Sequence, residues 1–157
     1  MTRKIGGLLV LIISFVVYLL TLEPTTSMWD CSEFIACAYG LEVGHAPGAP
    51  VFMLLGRFFS LFAPDPSQAA YMVNLLSATA SAFTIFFLFH TIYWFGRKLI
   101  ERTNYDFTEN YLQRILTMAA FLGAISFAFT DTFWFSAVEG EVYATSSLFT
   151  AVVFWGI

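Results

Sequence analysis

Residues 5–22 form a run of 18 residues without a charge, preceded by Arg3 and Lys4. A helix of that length rises about 27 Å, close to the thickness of a bilayer's hydrocarbon core. A cleaved signal peptide has a shorter apolar region and ends at a small-x-small site, which "YLLTLEPTTS" does not offer. The expectation is therefore an uncleaved first span. The rest of the chain agrees: 59% of residues are hydrophobic, 19% aromatic and 11% charged, whereas soluble domains carry roughly a quarter charged residues. The predicted fold class is an all-α membrane protein, a bundle of transmembrane helices. No basic patch of the kind nucleic acid requires is present. Cys31 and Cys37, six apart, face different ways on a helix, so both are read as small buried thiols.

Three further apolar stretches place the remaining spans at about residues 71–95, 115–135 and 143–157, with a charged connector at 97–114. The sequence closes on "AVVFWGI", inside an apolar run, and the expectation is the N-terminal part of a longer multi-pass protein. Residues 23–68 make a long first loop that is not hydrophilic. Apolar Phe34, Ile35, Ala38 and Leu41 fall at helical spacing, closed by Gly44. "HAPGAP" then forces a turn and Pro50 suits the first position of a second helix. Both helices are too short to cross and are read as interfacial. Asn74, Ser77, Ser81 and Thr84 form a polar stripe along one face of the second span. Ala119 and Gly123 form a small-xxx-small pair on the third. Both patterns are read chiefly as helix-packing seams. Phe133, Trp134 and Phe135 have the look of an interfacial aromatic belt.

The Lys/Arg bias orients the chain. With the N-terminus cytoplasmic, six of the seven basic residues lie inside, Arg57 excepted. Eight of the eleven acids lie outside (Glu23, Asp30, Glu33, Glu42, Asp65, Asp131, Glu139 and Glu141). Acids contribute little to topology, so their gathering outside calls for another cause.

"SMWDCSEF", residues 27–34, concentrates the question. Asp30 and Glu33 share one helix face, and they follow the first span directly, with Trp29 suited to the headgroup level. They fit a capping box, either Ser27 with Asp30 or Asp30 with Glu33. They equally fit an acid/base pair, in which two close carboxylates push one pKa upward. Glu139 and Glu141 are either solvated loop acids or a second acidic site with at least one carboxylate inward, since "FWFSAVEGEVY" is too apolar for a simple wet loop. Arg57 either snorkels or pairs with an acid, or meets a lipid-linked phosphate. His45, ahead of a Pro-Gly turn, is structural or contributes to the same site, as does Tyr143 at the start of the last span.

"WDCSEFIACAYGLEVGHAPGAPVFMLLGRFFSLFA", "AAYMVNLLSATASAFT" and "FWFSAVEGEVYATSSLFTAVVFW" together resemble the N-terminal region of a family of multi-pass proteins common in Bacteroidetes. That family is related to an animal protein O-mannosyltransferase and is placed with the GT-C glycosyltransferases. The resemblance runs from about Ile5 onward and covers the front of the family's length. It departs at Ser32 and Ala46, where the family more often has Gly and Pro. It implies a GT-C helix bundle whose first outer loop bears short interfacial helices and an essential acid. It also implies transfer of a sugar such as mannose from a polyprenyl-phosphate donor to Ser/Thr hydroxyls of exported proteins, with inversion. Asp30 matches the family's catalytic acid by position, with Glu33 its neighbour. His45, Arg57, Glu139, Glu141, Tyr143 and Trp29 are the candidates for holding donor phosphate or substrate.

Such a transfer needs one carboxylate to take the hydroxyl proton and a cation to stabilise the leaving phosphate. No glycine-rich nucleotide motif appears, as suits a lipid-phosphate donor. A divalent metal is left open, because some GT-C enzymes use one and others do not. A fragment of this length is expected to be inactive alone. The expected setting is the bacterial inner membrane, with the site on the periplasmic side. The rivals are a transporter or channel subunit with an outer cation site, and a non-catalytic membrane scaffold. The first predicts ionisable residues near span centres, and spans 5–22, 71–95 and 115–135 have none there.

Overall fold

The computed structural model describes residues 2–103 and 107–157. The middle of the connector expected at 97–114 thus lies outside the described residues. Every element is helical: α1 (Arg3–Leu20), α2 (Cys31–Gly40), α3 (Pro50–Ser60), a 3-10 turn (Pro66–Gln68), α4 (Ala69–Thr103), α5 (Glu109–Ala128), α6 (Asp131–Val138) and α7 (Val142–Gly156). Helices α1, α4 and α5 are long and apolar enough to cross a bilayer.

Helix α4 is the axis of the bundle, packed against α1, α5, α7 and α3. Its 35 residues extend about 52 Å, well beyond the apolar stretch at 71–95. The helix continues through "GRKLIERT" because that turn is stabilised on its own surface. Arg97 Nε and Lys98 Nζ lie 3.2 and 3.3 Å from the Glu101 carboxylate, and Arg97 Nη1 reaches Glu109 at the start of α5 at 2.9 Å. Hydropathy marks where lipid ends, not where the backbone unwinds.

Small residues bring the helices together. The polar stripe faces inward: Asn74, Ser77 and Ser81 have no exposure, and Thr84 is buried. Gly6 of α1 lies where a Cβ would meet Phe89 and Thr117 at 2.9 Å. The seam on α5 is Thr117, Ala120, Ala124 and Ala128, all fully buried, rather than Ala119 and Gly123, which face outward. The two sets differ by one residue, about 100° around the helix, and both satisfy the small-xxx-small pattern. Tyr18 crosses from α1 and its hydroxyl donates to the Ala128 carbonyl (2.8 Å), satisfying one of the orphan acceptors at the end of α5.

The helix expected at 115–135 is broken. α5 stops at Ala128, Thr130 turns extended, and α6 restarts with Asp131 in its first turn. Thr-Asp is a helix-start signal, and here it redirects the chain across the end of the bundle. Of the presumed aromatic belt, Phe133 is buried and Phe135 exposed, while Trp134 Nε1 donates to Thr21 Oγ1 at 3.0 Å.

In the first loop, α2 ends at Gly40, not at Gly44. Leu41 takes the left-handed conformation (φ 53°) and its N–H returns to the Ala38 carbonyl. Pro50 opens α3. α3 lies across α2 with Gly56 against the Ala38 Cβ, where an added Cβ would sit 2.8 Å away. Phe34, Ile35, Ala38, Phe52, Met53 and Val73 form the second small core beneath this layer. Cys31 and Cys37 are free and buried in it.

Candidate active site

The first loop and the α6–α7 link meet at one end of the bundle. Two contacts tie the loop to the end of α6 and the link: the Glu23 N–H donates to the Val138 carbonyl (3.0 Å) and Ser27 Oγ donates to the Glu139 carboxylate; beside them Trp134 of α6 holds Thr21 at the end of α1. Asn74, buried near the start of α4, fixes the loop from below. Its Nδ2 donates to the carbonyls of Glu23 (2.7 Å) and Thr25 (2.8 Å). Neither Ser27 nor Asn74 was singled out for this site from sequence.

Asp30 ends this segment. It occupies the N-cap position of α2 but makes no side-chain cap hydrogen bond, so neither capping box forms. Ser27 is engaged by Glu139, and Glu33, at the third helical position, turns toward residue 45. Its Oε1 accepts from the His45 N–H (2.7 Å) and its Oε2 lies 3.1 Å from His45 Nδ1. Gly44 permits this approach, since a Cβ there would stand 3.3 Å from Glu33 Oε1. His45 Nε2 is 3.9 Å from Asp30 Oδ2. One imidazole thus spans the two carboxylates expected to oppose each other. The consequence for Glu33 is opposite to that of a like-charge pair. The hydrogen bonds from His45 hold its carboxyl below the usual carboxylate range. Asp30 keeps a largely exposed side chain, 61% accessible. The preceding Trp29 is itself exposed, with φ +66°, a region costly for a bulky residue.

Glu139 and Glu141 face this pair from the α6–α7 link. Both residues are extended, so a spacing of two puts them on one side of the strand-like link. Glu139 is buried, 4% exposed. Burial raises its carboxyl above the usual range, with the Ser27 hydroxyl pulling the other way. Glu141 is raised by burial first, then by the charges of Glu139 and Asp30. Of the acids at this end of the bundle, Asp30 is exposed, Glu33 is lowered by an imidazole, and Glu139 and Glu141 are raised by burial. Tyr143, two residues on, is exposed and lines an apolar groove of about 510 Å³ with Leu88, Phe127, Phe133 and Phe154.

Arg57 does not join this group. Its Nη1 donates to the Tyr39 carbonyl (2.7 Å), and its guanidinium lies over the Tyr39 ring. Tyr39 is nine residues beyond Asp30 along α2, roughly 13 Å by helical rise. Arg57 thus caps the C-terminal end of α2, neither snorkelling free nor pairing with an acid. Among the described residues, no three His, Cys, Asp or Glu side chains converge as metal ligands do. The Glu33 carboxylate already has both oxygens committed to His45.

A family model, Protein O-mannosyl-transferase TMEM260 N-terminal domain, matches residues 30–157. The chain belongs to this family. Its match to the TMEM260 N-terminal domain opens at Asp30 and takes in all of α2 to α7. A Dictyostelium discoideum protein named Protein O-mannosyl-transferase tmem260 is 25% identical over 140 residues, 88% of this chain and 15% of that relative. The Mus musculus Protein O-mannosyl-transferase TMEM260 is 28% identical over 137 residues, 87% of this chain and 17% of that relative. The chain thus spans about one sixth of the length of these relatives. No solved structure matches significantly.

The raised Glu139 carboxyl gives a pH-dependent stability in this TMEM260-type domain. A folded-state pKa above the unfolded one contributes stability that is complete below the ordinary carboxylate range and lost as pH rises through the folded value. Glu139→Gln stays neutral and still accepts from Ser27. Its melting temperature is expected to exceed that of wild type by an amount that grows as pH rises above the ordinary carboxylate range. Differential scanning fluorimetry in detergent checks this, and an offset independent of pH would mean that Glu139 carries no desolvation penalty.

Proposed function

We propose that this chain is the acid-bearing front of a membrane protein O-mannosyltransferase, which moves mannose from a polyprenyl-phosphate donor to Ser/Thr hydroxyls of exported proteins. The observation that carries the reading is Asp30: a carboxylate left free of capping, exposed, and placed where the first long apolar helix delivers the chain to one end of the bundle. In the reaction, Asp30 takes the acceptor hydroxyl proton as that oxygen attacks the anomeric carbon from the face opposite the phosphate. The bond from C1 to the phosphate oxygen breaks and the anomeric configuration inverts. Glu33 orients His45 rather than acting as a second base. Burial, which raises the carboxyls of Glu139 and Glu141, works against negative charge where an incoming phosphate would arrive. The groove lined by Tyr143 suits the donor's isoprenoid chain, because its walls are largely apolar. Arg57 serves α2, so the cation for the leaving phosphate comes from elsewhere in the full-length protein. The names of the Dictyostelium and mouse relatives support mannose and protein acceptors. The segregation of basic residues supports a cytoplasmic N-terminus and, in a bacterial host, an inner-membrane enzyme with a periplasmic site.

Glycopeptide mass spectrometry on envelope proteins tests this, comparing the host, a strain lacking the full-length gene and the complemented strain. Ser/Thr-linked hexose should vanish with the gene and return with it. An unchanged glycopeptide profile would remove protein hydroxyls as acceptors and bring forward the outer cation site of a transporter.

A further inference from the structure

Each turnover of a base leaves it protonated, and the arrangement around Asp30 offers a route for that proton. A carboxylate only accepts hydrogen bonds, so the 3.1 Å contact with Glu33 Oε2 places the hydrogen of a neutral imidazole on Nδ1. The lone pair is then on Nε2, the nitrogen that faces Asp30 Oδ2 at 3.9 Å. That distance is too long for a hydrogen bond. It is also what two acceptors facing each other require: the Nε2 lone pair and an ionised carboxylate oxygen repel. Once Asp30 is protonated, the same pair becomes O–H donor and nitrogen acceptor, and the gap can close.

Resting on the transferase reading, we infer that His45 is a positioning residue that acts through Asp30, drawing off the proton Asp30 takes from the acceptor hydroxyl and returning it to water. The atoms balance over the cycle. The hydroxyl proton goes to Asp30 Oδ2 as the new C1–O bond forms and the bond to phosphate breaks. It then passes to His45 Nε2, and the imidazolium, paired with Glu33 on its other nitrogen, releases it to solvent through a side chain that is 46% exposed.

The surroundings of His45 suit that task. The backbone N–H of His45 is held by the same carboxylate that orients its ring, so Glu33 fixes both ends of the residue. Phe34 packs against the imidazole with centroids 5.4 Å apart, limiting rotation about the ring's free edge. The charged groups that face it are Asp30 and Glu33, both from α2. The Asp30 charge in turn reaches Glu141 on the α6–α7 link, and Glu42, beyond the end of α2, acts with Glu33 on Cys37. Asp30 and Glu33, the two carboxylates at the imidazole, are both acids and favour a transient imidazolium.

The test uses the full-length protein in liposomes with polyprenyl-phosphate mannose and a Ser/Thr acceptor peptide, assayed between about pH 5 and pH 9. His45→Gln can still donate to Glu33 but cannot carry a proton. It should keep its KM for the peptide and lose kcat by roughly tenfold to a hundredfold. The dependence of its kcat on pH should also differ from that of wild type. Imidazole added to the buffer should restore His45→Ala several-fold, which a packing role would not allow. If His45→Gln matches wild type in kcat and pH profile while Asp30→Asn is inactive, the relay is wrong and the base stands. If both His45 variants are slow, keep the wild-type pH profile and ignore imidazole, His45 is a structural brace and the relay is overturned. If Asp30→Asn transfers as well as wild type, the base assignment falls and takes the relay with it.

Discussion

Asp30→Asn should abolish most mannosyl transfer by the full-length protein while leaving its fold intact. The expected loss in kcat is on the order of 10² to 10⁴, the range for removing a positioned general base. The substitution separates the two meanings of a carboxylate at a helix start. Asn is as good an N-cap as Asp, so a residue needed only to begin α2 would tolerate the change. The side chain makes no cap hydrogen bond and is 61% exposed, so its replacement by an isosteric amide removes no packing and no partner. Melting temperature should therefore stay within a degree or so of wild type, since exposed substitutions of this kind move stability by less than about 0.5 kcal/mol. Transfer activity and melting temperature measured on the same preparation decide it. A variant that melts and transfers like wild type would show a helix-start residue, and the base would have to be sought at Glu139 or Glu141.

Periodicity and composition go a long way in this chain, and they stop where partners come from distant sequence. The uncharged run after Lys4, the Pro50 helix start and the inward polar stripe from Asn74 to Thr84 are local patterns, and each has one reading in a helical bundle. The α5 seam shows the limit of such patterns. Ala119/Gly123 and Ala120/Ala124 have the same spacing, and only the position of α1 and α4 selects the second. The break at Thr130 is visible locally in retrospect, as a Thr-Asp start signal inside an apolar stretch that hydropathy smooths over. The site is harder. Asp30, Glu33, His45, Glu139 and Glu141 are chemically conspicuous in a chain this poor in charge. Their roles depend on contacts twelve and more than a hundred residues long: His45 with Glu33, Ser27 with Glu139. Spacing along α2 predicts that Asp30 and Glu33 share a face. It does not predict that an imidazole from the following loop separates them and reverses the direction of Glu33's shift. Arg57 was conspicuous for the same reason, as a lone outer guanidinium, and its partner is a backbone carbonyl, a group that sequence does not distinguish.

The site also depends on a residue that touches none of the reacting atoms. Asn74→Asp should be the most damaging single substitution in the polar stripe. Asn74 is fully buried, and both hydrogens of its Nδ2 are used on the carbonyls of Glu23 and Thr25. Those two bonds hold the segment that runs into Ser27 and Asp30. Aspartate has almost the same shape but offers acceptors where the loop presents acceptors. In place of two hydrogen bonds it sets a buried, unpaired charge against two carbonyl oxygens, beside the Gly140 backbone that carries Glu139 and Glu141. An uncompensated buried charge costs on the order of 3 to 5 kcal/mol. Asn74→Ala only deletes the donors and lets the carbonyls turn to water, at roughly 1 to 3 kcal/mol. The expected order of melting temperatures is therefore wild type, then Ala, then Asp. Limited proteolysis between residues 23 and 30 should accelerate in the same order, and transfer should fall with it although Asp30 is unchanged. If aspartate proved no worse than alanine, the Nδ2 donors would not be what holds the loop, and the placement of Asp30 would have to rest on the Glu23–Val138 and Ser27–Glu139 contacts alone.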